Sequence, residues 1–342
     1  MRTDARDEPQ PRAIPDDLER ALVAYIDATS VKAAGGGTSG GWAAVPGRTA
    51  DPESTAWVLV ARARAKEVAP AGWNAARDWL LARQRPDGSW VMRDGADFST
   101  WPTLVALFAI SLTSRDIESN RARERATTWA LDEHSVTPSL WSRFLMRMLP
   151  QGESEAGVVL DATLDGFGWA RGTFAWVEPT AMAMLALARQ DSFADLKERV
   201  SVGARLLADR QSPDGGWNYG NKRVLGYDLP GYPDTTCWAL LGLQAAVRSG
   251  AMTAAVAGPV ATRGFALLSG GEPRRSTLTL SLETLARRAW ADSSLALPDN
   301  ATRIPALRTA VAKALEAQHE GYPMLETRTA VLALLALREV SL

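Results

Sequence analysis

Two segments of the sequence repeat each other closely enough to constrain the whole architecture. Residues 79–90 read WLLARQRPDGSW, and residues 206–217 read LLADRQSPDGGW. Each segment ends a helical pattern and places an apolar pair, a glutamine, a Pro-Asp-Gly turn and a tryptophan at the same offsets. A repeated unit this specific predicts an array of one supersecondary element. We expect the glutamine to hydrogen-bond to the next unit and the tryptophan to cap the preceding helix by stacking.

Gly-rich turns that end in an aromatic residue recur along the chain. They lead into Trp42, Trp90, Trp169, Trp217 and, in degenerate form, Tyr322. Trp42 and Trp90 are 48 residues apart, and so are Trp169 and Trp217. The longer gaps leave room for one further unit each, the second with its turn near Gly270. A unit of this length accommodates two helices and two loops.

Each turn separates an amphipathic helical run from a run that is apolar on nearly all sides. The amphipathic runs are residues 16–28, 73–84, 192–211 and 302–318. The apolar runs are residues 54–65, 102–112, 179–188, 235–246 and 327–337. A helix that is apolar all round is buried all round. The sequence therefore predicts an all-α fold in which six or seven hairpins close into an (α/α)6-type toroid around a central cavity. An open superhelix is the alternative.

Composition favours a globular protein with no strong electrostatic partner. Hydrophobic residues make up 46% of the 342-residue chain, as is typical of globular proteins. We expect one domain over residues 16–342 behind a disordered tail at 1–15. A net charge of −1 argues against nucleic-acid binding. The tail lacks the apolar core of a signal peptide. We expect a cytoplasmic protein, with peripheral membrane contact and a second subunit or homodimer left open.

The two repeated segments resemble the QW repeats of the squalene-hopene cyclase and prenyltransferase superfamily. That pattern is an aromatic or aliphatic pair, three residues, Gln, three residues, Gly, one residue and Trp; Leu206 stands where an aromatic residue is usual. The resemblance implies an α/α barrel and an isoprenoid substrate. In the class II cyclases of the family, an Asp-rich motif at the start of an inner helix protonates an alkene or epoxide. Triterpene cyclases hold two barrels, whereas this chain has room for one, like the catalytic subunits of protein prenyltransferases.

Three carboxylates stand two residues before the threonine that opens an apolar run. They are Glu53, Glu178 and Asp234. The resemblance places Glu178, Asp234 and Glu53 at the position of the family's proton-donating aspartate, but the flanking carboxylates of that motif are absent here. A carboxylate at a helix N-terminus also stabilises the helix by itself. Because the starts of all inner helices would face one mouth of the ring, we predict these three residues as catalytic acids or bases.

Aromatic residues cluster near the same helix starts and are predicted to bind the substrate. They are Trp57, Trp101, Trp176, Tyr232 and Trp238, joined by Tyr219 and Tyr227 from the polar loop after the second repeat. Aromatic faces stabilise a cation by cation–π attraction. The alternative is that these rings fill the centre of the ring as core.

No cofactor is expected from the sequence, with zinc or magnesium as the alternative. The prenyltransferase resemblance implies zinc held by Asp, Cys and His, and the candidates are Asp234, Cys237, His134 and His319. The spacing Asp234-x-x-Cys237 departs from the family's Asp-x-Cys. Asp161 and Asp165 are candidate magnesium ligands or turn caps, and Lys222 and Arg223 are candidate diphosphate contacts or a solvated pair.

The sequence therefore predicts an isoprenoid-processing enzyme that resembles a class II terpene cyclase or a prenyltransferase. Its substrate would be an apolar polyprenyl chain held in a central cavity and activated by acid. Two alternatives stay open. One is a non-catalytic isoprenoid-binding or scaffold protein with the same fold, and the other is a carbohydrate-active toroid, either a lyase or a glycosidase.

Overall fold

The computed structural model describes residues 18–32, 38–65, 73–93, 98–113, 116–137, 161, 163–190, 195–270, 276–293, 303–319 and 325–342. The predicted tail at 1–15 and the turn before Tyr322 lie outside these ranges. The helices described are α1 Leu18–Ala28, α2 Pro52–Arg64, α3 Trp73–Leu81, α4 Thr100–Ser111, α5 Ile117–Leu131, α6 Val177–Leu187, α7 Leu196–Asp209, α8 Pro233–Arg248, α9 Ala254–Gly270, α10 Thr277–Ala289, α11 Arg303–His319 and α12 Thr327–Leu337. None of them combines the length and apolarity that a bilayer crossing requires.

The even-numbered helices form a closed inner ring. Going round it, α2 packs on α4, α4 on α6, α6 on α8, α8 on α10 and α10 on α12, and α12 packs back on α2. The odd-numbered helices pack on the outside of this ring. The described residues thus form six helical hairpins, which confirms the predicted all-α toroid. In this order α2 lies opposite α8, and α6 lies opposite α12.

Hydrogen bonds join the first and last hairpins where the ring closes. The Thr327 hydroxyl donates to the carbonyl oxygen of Ala43 at 2.6 Å, and the Thr327 backbone N–H donates to that of Ala44 at 2.8 Å. The hydroxyl of Tyr25 on α1 donates to the carbonyl oxygen of Leu325. Segments almost 300 positions apart in sequence are therefore bonded directly.

The two repeated turns connect one hairpin to the next through their glutamines. The Gln84 side chain donates to the carbonyl oxygen of Gly88 at 3.0 Å and to that of Ala122 on α5 at 2.8 Å. Gln211 makes the same pair of bonds, with Val260 on α9 as its partner in the next unit at 2.9 Å. The predicted bridge between units is confirmed in both copies.

The tryptophans of the repeat end the outer helices by donating hydrogen bonds rather than by stacking alone. The indole N–H of Trp90 donates to the carbonyl oxygen of Leu80 at 2.8 Å, and that of Trp217 donates to Leu207 at 2.6 Å. Each bond satisfies a carbonyl group that the helix end leaves without an intrahelical partner. The tryptophan of each repeat thus ends the outer helix that precedes it.

The glycine of each Pro-Asp-Gly turn is required by a close backbone approach. Gly88 and Gly215 both have φ of 92°, and a Cβ atom on them would lie 2.4 Å from the Arg125 carbonyl oxygen and 2.7 Å from that of Arg263. A side chain at either position would therefore meet both unfavourable dihedrals and a backbone clash.

A threonine in the first turn of four inner helices marks equivalent positions. The hydroxyl oxygens accept hydrogen bonds of 2.8–3.0 Å from the backbone N–H of an aromatic residue, in the pairs Thr55–Trp42, Thr103–Trp90, Thr180–Phe167 and Thr236–Trp217. The turn aromatic of the third unit is therefore Phe167 and not Trp169. Trp169 instead packs on Trp101, with ring centroids 5.0 Å apart.

One inner helix, α10, is not among the apolar runs because it contains charged residues. Glu283 is nevertheless fully buried, since its carboxylate pairs with Arg287 at 2.8 Å and with Arg303 of α11 at 2.9 Å. A buried charge is tolerated when it is paired in this way. These ion pairs allow a helix with an amphipathic sequence to lie in the inner ring.

Short antiparallel ribbons also occur, although no alternating pattern predicts them. They pair β1 Ser30–Lys32 with β2 Thr38–Trp42, and β3 Arg223–Val224 with β4 Tyr227–Asp228. The second ribbon is built by its turn, where Leu225 and Gly226 have φ of 51° and 80°. Positive φ at both central residues is the geometry of a tight hairpin turn, so alternation is not needed.

Candidate functional site

The three predicted acids occupy the same position of three inner helices. Glu53 on α2, Glu178 on α6 and Asp234 on α8 each precede the shared threonine by two residues, and Trp101 holds this position on α4. All three lie at one end of the ring, where Arg328 pairs with Glu178 and Glu53 and the charge of Asp234 acts on Glu178. We call this end, with the three acids and Arg328, the acidic mouth.

Arg328 is the residue that joins two of the acids. It is the second residue of α12, and its Nη1 atom lies 3.4 Å from Glu178 Oε1 and 3.6 Å from Glu53 Oε1. Because α12 and α6 are opposite in the ring, the pair with Glu178 crosses the axis of the toroid. The guanidinium also lies 5.9 Å from the centre of the Trp101 ring.

Glu178 is the acid whose protonation the site changes most clearly. Burial raises its pKa from 4.5 to about 7; Arg328 lowers it, and the charges of Asp234 and Glu53 raise it further. Its side chain is only 15% exposed. The neighbouring carboxylates that its own sequence segment lacks are therefore supplied by other helices of the ring.

Helix capping does not account for these acids. The side chain that caps α2 is Asp51, which accepts from the Ser54 backbone N–H at 2.8 Å, while α6 and α8 have no side-chain cap at Trp176 and Tyr232. Burial raises the pKa of Asp51 to about 6, although its bonds to Ser54 oppose the rise.

Three of the predicted substrate-binding aromatics are buried directly on the axis. Trp57 and Trp238 come from opposite helices, yet their ring centroids are 6.3 Å apart and they are 0% and 1% exposed. Trp101 packs edge-on against Trp238 at 6.1 Å. The expected central cavity is therefore filled by tryptophan at this level, because side chains this large span the narrow ring.

Two of these tryptophans carry polar atoms without partners. The indole Nε1 atoms of Trp57 and Trp101 are buried and make no hydrogen bond to any of the described residues. Buried polar groups are usually hydrogen-bonded.

Other predicted aromatics form a more exposed cluster beside α6 and α8. The Trp176 and Tyr219 ring centroids are 5.9 Å apart, and those of Tyr219 and Tyr232 are 5.4 Å apart. Tyr219 is 55% exposed and Tyr232 is 41% exposed. We call these three residues the aromatic shelf. Tyr227 lies on β4 and is 77% exposed.

The candidate metal ligands are spread over different parts of the fold. Cys237 is buried in α8, and His134 pairs with Asp165, which also accepts from the Ser135 backbone N–H at 2.9 Å. Asp161 accepts from the Thr163 backbone N–H at 2.9 Å. His319 is the last residue of α11. Among the residues that the structure describes, no group of three His, Cys, Asp or Glu side chains is placed to hold a metal ion.

The candidate diphosphate contacts bind within their own loop region. The Lys222 ammonium donates to the carbonyl oxygen of Asp209 at 2.7 Å, and Arg223 donates to that of Gly226 at 3.1 Å. Both donors are thus directed at protein oxygens.

Arg328 was the functional candidate that the sequence did not reveal. It is the only charge in the run TRTAVLALLAL, which is otherwise an inner-helix sequence. A lone charge in the first turn of a buried helix is the signal that points to it, because such a charge needs a partner.

No protein-family model matches this sequence, and no curated protein matches it either. Among solved structures, a protein from Actinoplanes is similar at 17% identity, with 94% of this chain and 98% of that chain covered and a TM-score of 0.54. An ent-copalyl diphosphate synthase from Streptomyces platensis is similar at 18% identity over 93% of this chain and 50% of that chain, with a TM-score of 0.45. A polysaccharide lyase is similar at 11% identity over 89% of this chain and 90% of that chain, also with a TM-score of 0.45. The likeness to the Actinoplanes protein concerns the fold alone.

Proposed function

We propose that the protein is an enzyme that acts on an apolar, unsaturated substrate of isoprenoid type by acid-initiated carbocation chemistry. The observation that carries the proposal is the meeting of three carboxylates and Arg328 at one mouth of the ring, beside exposed aromatic rings. Both carboxylates bound to Arg328 are largely buried, at 15% and 17% exposure. A largely buried acid next to aromatic surface suits the protonation of a carbon–carbon double bond.

Glu178 is the proton donor in this proposal. A general acid is most effective when its pKa lies near the working pH, and the pKa of Glu178 is raised to about 7. Its O–H proton transfers to one carbon of the alkene, whose π electrons form the new C–H bond. The neighbouring carbon becomes the cation, and Arg328 stabilises the carboxylate that remains.

The aromatic shelf and Trp101 face the charge that develops on the substrate. Each desolvated aromatic face stabilises a cation by about 1–2 kcal/mol. Asp234 and Glu53 add negative charge near the same place and offer a base for the final loss of a proton, which regenerates a neutral alkene. Because tryptophan fills the axis below, the reacting end of the substrate lies at the mouth.

The test is incubation of the protein with a series of linear isoprenoid alcohols, diphosphates and hydrocarbons in D2O. Mass spectrometry would detect a cyclised or isomerised product that carries one deuterium from the acid. We expect such a product with the wild type and with Glu124→Gln, an exposed control on α5, and none with Glu178→Gln. Products that form equally with Glu178→Gln would refute the proposed acid.

A second candidate is a non-catalytic isoprenoid-binding or scaffold protein. The observation that favours it is the contact of Trp57 with Trp238 across the axis, which leaves the acids above a packed core. In this case isoprenoids would bind and quench tryptophan fluorescence, but no member of the series would take up deuterium. Light scattering would show in parallel whether the chain forms a homodimer, as a scaffold or partner subunit would require.

A third candidate is a carbohydrate-active enzyme, which the aromatic shelf favours. Exposed aromatic rings next to carboxylates are a usual platform for sugar rings, and a pair of carboxylates is the usual machinery of glycoside hydrolysis. Release of reducing ends from a panel of neutral and acidic oligosaccharides, lost with Glu178→Gln, would support it over the first proposal.

A further inference from the structure

Three arginines lie at the end of the ring opposite the acidic mouth. Arg64 is the last residue of α2, Arg248 is the last residue of α8, and Arg189 follows the end of α6. We call them the arginine triad. A helix of 13 residues such as α2 is about 20 Å long, so the triad is well separated from Glu53 at the other end.

The three guanidinium groups are close enough to repel one another. Burial and the charge of Arg248 lower the pKa of Arg64. Burial, followed by the charges of Arg64 and Arg248, lowers the pKa of Arg189 to about 10. Arg189 is therefore still charged at neutral pH, and the three side chains come from both sides of the axis, because α2 and α8 are opposite each other.

No side-chain carboxylate in the part of the chain that the structure describes pairs with these arginines. Their side chains make no ion pair or hydrogen bond with those residues, and the Nε atoms of Arg64 and Arg189 are buried without a partner there. The helix dipole stabilises part of this positive charge, because the three arginines lie at helix C-termini. A dipole does not, however, satisfy buried N–H donors, which cost free energy when left unpaired.

A small cavity opens between two members of the triad. It has a volume of about 100 Å³, and its lining includes Arg189, Gln244, Arg248, Ser249 and Leu342. The guanidinium of Arg189 lies 5.9 Å from the centre of the Phe108 ring on one wall. The cavity thus offers room for a small anion, with cationic and amide or hydroxyl donors around it.

We propose that the arginine triad binds a phosphate-class oxyanion, either free or as the head group of a larger phosphorylated molecule. Guanidinium groups match tetrahedral oxyanions because their N–H donors bind two oxygens at once. An anion of two or more charges in this cavity would pair with Arg189 and Arg248, which line it, and would reduce the repulsion within the triad. The proposal is independent of the function proposed for the acidic mouth.

The test is calorimetric titration of the protein with orthophosphate, pyrophosphate and phenyl phosphate, in a buffer free of other polyvalent anions. We expect one site per chain, and an affinity that falls about tenfold or more in Arg189→Met and in Arg248→Met, since each removes a charge-assisted contact. The matched control is Arg205→Met on α7, whose guanidinium pairs with Glu198 at 2.9 Å on the outer surface. It should bind as the wild type does.

Thermal unfolding gives a second measurement that does not depend on heat of binding. Pyrophosphate should raise the Tm of the wild type and of Arg205→Met but not that of Arg189→Met. If Arg189→Met fails to fold, the same measurement on Arg248→Met replaces it, because Arg248 is exposed and its replacement should leave the fold intact. Tighter binding of phenyl phosphate than of orthophosphate would assign a phosphorylated organic ligand, and the reverse would assign the free anion. No wild-type binding at millimolar anion, or equal binding by both triad variants and the wild type, would overturn the proposal.

Discussion

Replacing Glu178 with glutamine should remove a defined part of the pH dependence of stability. The folded-state pKa of Glu178 is about 7, above the ordinary value of 4.5 that applies in the unfolded chain. The folded protein therefore holds this proton more tightly than the unfolded chain does. The resulting stabilisation is complete below about pH 4.5 and is lost as the pH rises through about 7.

The size of the effect follows from the difference between the two pKa values. Each pKa unit corresponds to about 1.4 kcal/mol, so the change from 4.5 to about 7 amounts to about 3 kcal/mol. The side chain is 15% exposed, so solvent screens this value little. Glutamine keeps the shape of the side chain and does not ionise. The free energy of unfolding of the wild type should thus fall by about 3 kcal/mol more than that of Glu178→Gln over this pH range.

Urea denaturation followed by tryptophan fluorescence, repeated at intervals of pH, measures this difference. Titrating groups that do not interact with Glu178 cancel when the unfolding free energies of the two proteins are subtracted at each pH. The contact with Arg328 adds no separate contribution, because Arg328 attracts the ionised carboxylate and this attraction is already part of the folded-state pKa. Glu124→Gln serves as the control and should follow the wild type. A constant difference between wild type and Glu178→Gln across the range would refute the assignment of Glu178 as a buried acid.

Three further predictions concern the ring and its mouth. Trp90→Phe should destabilise the protein by about 0.5–1.5 kcal/mol more than Trp57→Phe in urea denaturation, because both lose the same volume but only Trp90 also loses an indole hydrogen bond, to the Leu80 carbonyl; equal losses would contradict the capping role. Gly215→Ala should cost more stability than Gly172→Ala, since both have positive φ but a Cβ meets a backbone carbonyl only at Gly215, and similar melting temperatures would speak against the close approach. Arg328→Met should move the titration of Glu178 to higher pH, because Arg328 lowers its pKa. Carbon NMR of the Glu178 carboxyl group, or the midpoint of the stability difference, measures this titration, and an unchanged midpoint would exclude the ion pair across the axis.

The parts of the fold that sequence reasoning predicts are those encoded within one hairpin. The glutamine, glycine and tryptophan of the repeat act over a few residues or on the next helix, so their spacing alone indicates an array of helical hairpins. The shared threonine likewise aligned Glu178 with Asp234 correctly. Helix α10 escaped prediction because Arg303 of another helix neutralises its buried Glu283, and a pattern of apolar residues does not register such a pairing.

The features that escaped prediction depend on which helices are opposite in the ring. Arg328 meets Glu178 from 150 positions away, and Trp57 meets Trp238 across the axis. These pairs follow from the number of units and the closure of the ring, which local spacing does not specify. The arginine triad has the same origin, since its members are single charges at three separate helix ends.

The bonds of Thr327 and Tyr25 at the seam of the ring have a consequence for how the protein comes apart. An open array of repeats can unravel from a free end, one unit at a time, because each unit contacts only its neighbours. Here every hairpin is flanked on both sides, so losing any one of them exposes two interfaces at once. Denaturation should therefore proceed as a single concerted step, and a break at the seam should convert it into a gradual one.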